Sequence, residues 1–123
     1  MPVITCENRV GLAPATKAEL AARITEEVQA AIKSPLDLVS VVFHDLPREN
    51  TYRSGAPTED TLIFCHIRAG RSDEAVQDLV ARVSRAWSQV TGDPEDCIEV
   101  VAGQYPARFT FRNGRRLPEP PYV

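Results

Sequence analysis

Laid over itself at an offset of 59 residues, the chain repeats without a gap. A period of that length constrains the fold more than any single motif, because each copy must be a unit that packs against the other. LAARIT at 20–25 falls on LVARVS at 79–84, SPLDLVSVV at 34–42 on DPEDCIEVV at 93–101, and TYRSG at 51–55 on TFRNG at 110–114. Single residues keep the same offset: Cys6 meets Cys65, Arg9 meets Arg68, Gly11 meets Gly70 and Pro47 meets Pro106. Duplication and fusion of one short unit accounts for this, so the 123 residues are read as one domain made of two internal repeats, 2–60 and 61–119.

Each repeat carries the same order of elements. Residues 3–6 and 62–67 are short apolar segments expected to be strands. Thr16 and Ser72 stand near the expected helix starts. Leu20, Ile24, Val28 and Ala31, and then Leu79, Val83, Trp87 and Val90, recur at helical spacing. Pro35 and Pro94 are expected to end the helices, and LVSVVF and CIEVVA follow as β-branched runs. Strand, helix, strand within one unit implies a parallel pair with a crossover helix. Two such units predict an α+β fold, a four-stranded sheet with two helices on one face. The other face has no helix to cover it, yet VSVVFH is apolar at most positions, so a symmetric homo-oligomer is expected to bury it.

Composition excludes several classes of function. The formal charge of -3 argues against a dedicated nucleic-acid binder, which must neutralise many phosphates. Only Lys17 and Lys33 are lysines and the other twelve basic residues are arginines, whose planar fork suits a small anionic ligand bearing a carboxylate or phosphate; high-GC codon usage would produce the same excess. No stretch is apolar enough to span a bilayer and no signal segment opens the chain, so a cytoplasmic protein with no membrane partner is expected. Cys6, Cys65 and Cys97 form neither a CxxC pair nor an even framework, and read as free thiols. His44 and His66 lack a metal-ligand spacing.

The segment MPV raises a further possibility. Met1 is normally removed ahead of a small residue, and Pro2 would then be a free secondary amine at the tip of a strand, able to act as a base or nucleophile. With MPV, LAARIT, IFCHIRAGRS at 63–72 and YPARFTFRNGRRLPEP at 105–120, the chain resembles the tautomerase superfamily, and within it the cis-3-chloroacrylic acid dehalogenase group, over nearly its whole length. The resemblance implies the tautomerase fold, a homotrimer, and catalysis by Pro2 without metal or organic cofactor. It also implies that Arg68 and Arg71 hold a substrate carboxylate and polarise its carbonyl oxygen. Arg68 has a counterpart in Arg9, which fits a structural ion pair as well as a functional role, whereas Arg71 falls on Leu12 and is unique to the second repeat.

The chain departs from that group at three places. Where the dehalogenases carry a water-activating glutamate, a helix histidine and a tyrosine, it has Arg112, Val28 and Val101. An arginine stays protonated and cannot serve as the base for water. What remains, an amine and cationic anchors, suffices for keto–enol proton transfer on a small unsaturated 2-oxo or 2-hydroxydienoate acid. The expected enzyme is therefore an isomerase, with Arg112 as a further anion contact and Tyr105, Phe109 and Phe111 as apolar wall. Two alternatives stand beside it: a hydratase that recruits another carboxylate such as Glu7 or Asp45, and a catalytically silent member that binds an anion or a protein partner.

Overall fold

The two helical stripes set the architecture. In the computed structural model, which describes Met1–Val123, helix α1 (Pro14–Ile32) buries Leu20, Ile24, Val28, Ala31 and Ile32, and helix α2 (Asp73–Thr91) buries Leu79, Val83, Ala86 and Trp87. In chain order the strands are β1 (Val3–Arg9), β2 (Ser40–Leu46), β3 (Tyr52–Arg53), β4 (Ala56–Pro57), β5 (Thr61–Arg68), β6 (Ile98–Tyr105), β7 (Phe111–Arg112) and β8 (Arg115–Arg116). The order β2-β1-β5-β6 makes one four-stranded sheet, while β3 with β4 and β7 with β8 form separate two-stranded hairpins. Strand β1 is parallel to β2 and β5 is parallel to β6, each pair joined by its crossover helix, and β1 is antiparallel to β5. This is the expected α+β sandwich.

The observed elements extend the sequence reading at their ends. Strands β1 and β5 run on to Arg9 and Arg68, because these polar residues are held by ladder bonds to neighbouring strands and alternate between the two faces. Helix α1 starts at Pro14, whose missing N–H costs nothing in a first turn, so Thr16 lies inside that turn and caps nothing. Ser72 does cap α2, its Oγ accepting from the Ala75 amide at 3.1 Å. The helices stop before their prolines: Lys33 and Gly92 turn left-handed at φ 56° and 82° and send their amides back to Gln29 O and Ser88 O.

The core lies between the helices and one sheet face. Ile4 and Cys6 of β1 and Ile63, Cys65 and Ile67 of β5 meet the helical stripe there. Burial pushes the thiols of Cys6 and Cys65 up to about 12, so both stay protonated at neutral pH. Trp87 is the largest core side chain, 1% exposed, with its ring 6.2 Å from that of Phe43 and its Nε1 donating to Asp93 at 3.2 Å. Trp87→Ala is expected to cost about 3–5 kcal/mol of stability, read as a lower midpoint in urea unfolding followed by circular dichroism. The opposite sheet face stays open in the single chain: Val42, Phe64 and Val101 are 37%, 37% and 45% exposed.

Candidate functional site

The antiparallel register of β1 and β5 places Val3 opposite His66, so the amino-terminal end of β1 meets the carboxy-terminal end of β5. Pro2 is buried at that junction, its carbonyl accepting from the Ser40 amide of β2 at 3.0 Å. Arg68 ends β5 and is 2% exposed; Nη1 donates to the Pro118 carbonyl at 2.6 Å, while Nε has no partner. The carboxy-terminal segment lies across this end of the sheet, with Val123 O accepting from the Ser72 amide and Pro120 within reach of Gly70. Gly70 itself has φ +127°, a left-handed conformation that a side chain would strain.

Arg71 occupies a different position from that expected of a simple substrate clamp. It is 6% exposed and donates from Nε to Ile32 O, the last carbonyl of α1, at 3.2 Å and from Nη1 to Arg68 O at 2.8 Å, leaving Nη2 unpartnered. It therefore ties the end of α1 to the end of β5 and leaves one buried donor without a partner. Burial first, and then the Arg68 charge, pull Arg71 down to about 10, still a cation at pH 7. Burial lowers Arg68 as well, with the Glu119 carboxylate acting in the opposite direction.

The charge around the amino terminus follows from this geometry. Burial, then the Arg68 and Arg112 charges, hold the terminal amine of Met1 below its ordinary value, because each disfavours the ammonium form. Arg112, exposed on β7, is thus electrostatically coupled to the same end of β1. Its counterpart Arg53 in the first half is ion-paired with Asp60 and lies 3.8 Å from Glu99, whereas Arg112 has no carboxylate within salt-bridge distance. Ser40 stands where the offset would otherwise supply a second Glu99. One cation of the duplicated pair is neutralised and the other is open.

The aromatic residues are dispersed. Tyr105 is paired with Arg68 in the β5–β6 register; its ring lies over Gly103 and its hydroxyl shares a hydrogen bond with His66 Nδ1 at 2.9 Å. Phe111 is 64% exposed, and Phe109, 71% exposed, carries the Arg108 guanidinium 4.6 Å above its ring centre. The single chain thus gathers Pro2, Arg68 and Arg71 into one end of the sheet, couples Arg112 to it, and leaves Phe109 and Phe111 in solvent. Glu7 and Asp45 lie towards the far end of β1, held by His44 at 2.7 Å and by Lys17 and Asn8 respectively. The Pro118 carbonyl and the His66–Tyr105 pair were not foreseen; both contacts join segments distant in the chain. No three His, Cys, Asp or Glu side chains converge as metal ligands, and no helix is long and apolar enough to cross a membrane.

The family Tautomerase_3, described as an oxalocrotonate tautomerase enzyme, matches residues 1–122. No curated protein matches the chain by sequence. Among solved structures, the chain is similar to N1, a member of the cis-3-chloroacrylic acid dehalogenase family, at 25% identity over 97% of this chain and 85% of that one, with a TM-score of 0.92. It is similar to the F6 fused 4-OT wild-type asymmetric trimer at 25% identity over 94% and 95% of the two chains, with a TM-score of 0.89. It is also similar to Pt0534 inactivated by 2-oxo-3-pentynoate at 26% identity over 94% and 96%, with a TM-score of 0.87.

Proposed function

The chain belongs to the tautomerase superfamily, close to its cis-3-chloroacrylic acid dehalogenase group, and on that premise we propose that it is a cofactor-independent isomerase of small unsaturated 2-oxo acids. The observation that carries this reading is the convergence of the end of β1 with Arg68 and Arg112, where burial first, and then the two arginine charges, hold the terminal amine of Met1 below its ordinary value. Once Met1 is removed, Pro2 presents a secondary amine at that point. In its neutral form it takes the proton from the 2-hydroxyl of a hydroxydienoate and returns it to carbon along the conjugated system. One O–H bond breaks, one C–H bond forms, the π bonds shift, and the formula is unchanged. The buried, unpartnered Nε of Arg68 and Nη2 of Arg71 hold the carboxylate and the developing oxyanion, and Arg112 adds positive potential at the mouth.

Tyr105 completes one wall of the mouth in this reading, with Phe109 and Phe111 reaching substrate only if another subunit brings them there. The exposed Val42, Phe64 and Val101 support a homotrimer like the F6 fused 4-OT, with the open sheet faces turned inward. A solution mass equal to that of one 13.6 kDa chain would contradict this.

The reagent named with Pt0534 supplies the experiment. The Pro2 amine is expected to add across the triple bond of 2-oxo-3-pentynoate, its nitrogen bonding the carbon β to the carbonyl while a proton goes to the α carbon. The protein mass then rises by that of the intact reagent, and peptide mapping places the adduct on Pro2. Unmodified protein after incubation at neutral pH, or an adduct confined to cysteine, contradicts the reading.

A further inference from the structure

The largest cavity, about 290 Å³, is not at Pro2 but at the other end of β1, between the β1–α1 turn, the start of β5 and the end of α2. Its lining includes Asn8, Arg9, Leu12, Thr61, Trp87 and Asp93. The 59-residue offset explains why space exists there. In the second half, Arg71 fills the corresponding place and donates to Ile32 O and Arg68 O. In the first half that residue is Leu12, which is shorter in reach and has no donor, and the space stays open.

Two polar groups at this cavity lack partners. Arg9 has Nε, Nη1 and Nη2 all buried without a hydrogen bond, and Asn8, 1% exposed, has Oδ1 unpartnered while its Nδ2 donates to Arg9 O and Asp45. A buried cation without a partner is costly, so a fork of this kind demands an anion. The carboxylates in the wall do not supply it: Asp93 accepts from Trp87 Nε1 at 3.2 Å, and Glu59 is paired with Arg48. The unmet requirement is an acceptor pair for Arg9 together with one donor for Asn8 Oδ1.

We propose that this cavity is a second binding site, for a small hydroxycarboxylate. Rotation about the outer torsions of Arg9 brings its fork onto the carboxylate, the hydroxyl of the ligand donates to Asn8 Oδ1, and its carbon chain lies against Leu12 and Trp87. The volume is ample for an acid of a few carbons. Thr61 stands where Pro2 stands in the other half, so the site offers no amine base and binds without turnover. Strand rise puts it roughly 20 Å from Pro2, and it does not depend on the chemistry proposed there.

Trp87 is the only tryptophan and lines the cavity, which gives a direct readout in the full chain. Titration with 2-hydroxybutyrate is expected to change tryptophan fluorescence saturably, and at least tenfold higher concentrations are expected for Arg9→Gln, with turnover unchanged in that variant. Butyrate, lacking the hydroxyl, is expected to bind more weakly. Pro2→Ala and Arg68→Ala are expected to keep the wild-type titration, so loss of turnover in them reports only on the isomerase reading. Absence of a saturable change in wild type overturns the proposal, as does a change that survives Arg9→Gln or vanishes in Arg68→Ala. Should Arg9→Gln fail to fold, Arg9→Lys keeps the charge and loses the fork; unaltered affinity in Arg9→Lys then overturns the assignment.

Discussion

Pro2→Ala is expected to lower kcat/KM for a 2-hydroxydienoate by about 10²- to 10⁴-fold, the range associated with a positioned general base. Most of the loss should appear in kcat, because the arginines proposed to anchor the carboxylate are untouched. The lower part of the range is the more informative. Alanine is also small enough to allow Met1 removal, so the variant still exposes an amine, but a primary one without the ring that fixes its direction. Steady-state kinetics on protein whose intact mass shows Met1 removed checks this. Equal rates in variant and wild type would remove Pro2 from the mechanism.

Arg68→Ala carries the second large effect, an expected loss of about 10²- to 10³-fold in kcat/KM. Two consequences of one charge combine. The carboxylate loses its buried anchor, which raises KM, and the amine loses a neighbouring cation. A cation disfavours the ammonium form, so its removal raises the amine pKa towards the ordinary range of about 7.7–8.0. In the proposed mechanism the neutral amine is the base, so activity rises with pH through that pKa. The acid limb of the pH–rate profile is therefore expected at higher pH in Arg68→Ala than in wild type. Arg68→Lys should restore much of the limb's position by keeping the charge, but little of the affinity, since it lacks the fork. An unmoved acid limb in Arg68→Ala would mean that Arg68 acts on the substrate alone.

How far this site could be read from the sequence depends on the length scale of each contact. The offset of 59 residues aligns α1 with α2 and the hairpin of β3 and β4 with that of β7 and β8 at equivalent sequence positions. Strand order within each unit follows from the β-α-β pattern alone. The site needs more, namely that β1 and β5 run antiparallel so that Pro2 meets Arg68, and no local pattern states this register. Motif likeness implied only that Pro2 acts with Arg68, not the register that joins them. Contacts beyond both were silent: the Pro118 carbonyl on Arg68 spans fifty residues, and the bond from Arg71 to Ile32 O exists only because the end of α1 is seated over the end of β5. Duplicated residues also separated only in three dimensions. Arg53 and Arg112 are equivalent in sequence, yet Asp60 and Glu99 occupy one and leave the other open.

Whether Pro2 is a neutral amine base at physiological pH is decided by a pH titration of its ¹⁵N resonance in Met1-processed protein. A midpoint clearly below the ordinary α-amino range of about 7.7–8.0 is expected, in keeping with the lowered Met1 amine at this end of β1. A midpoint within that range, or a chain that retains Met1 in the cell, would contradict it and leave a tautomerase fold without its chemistry.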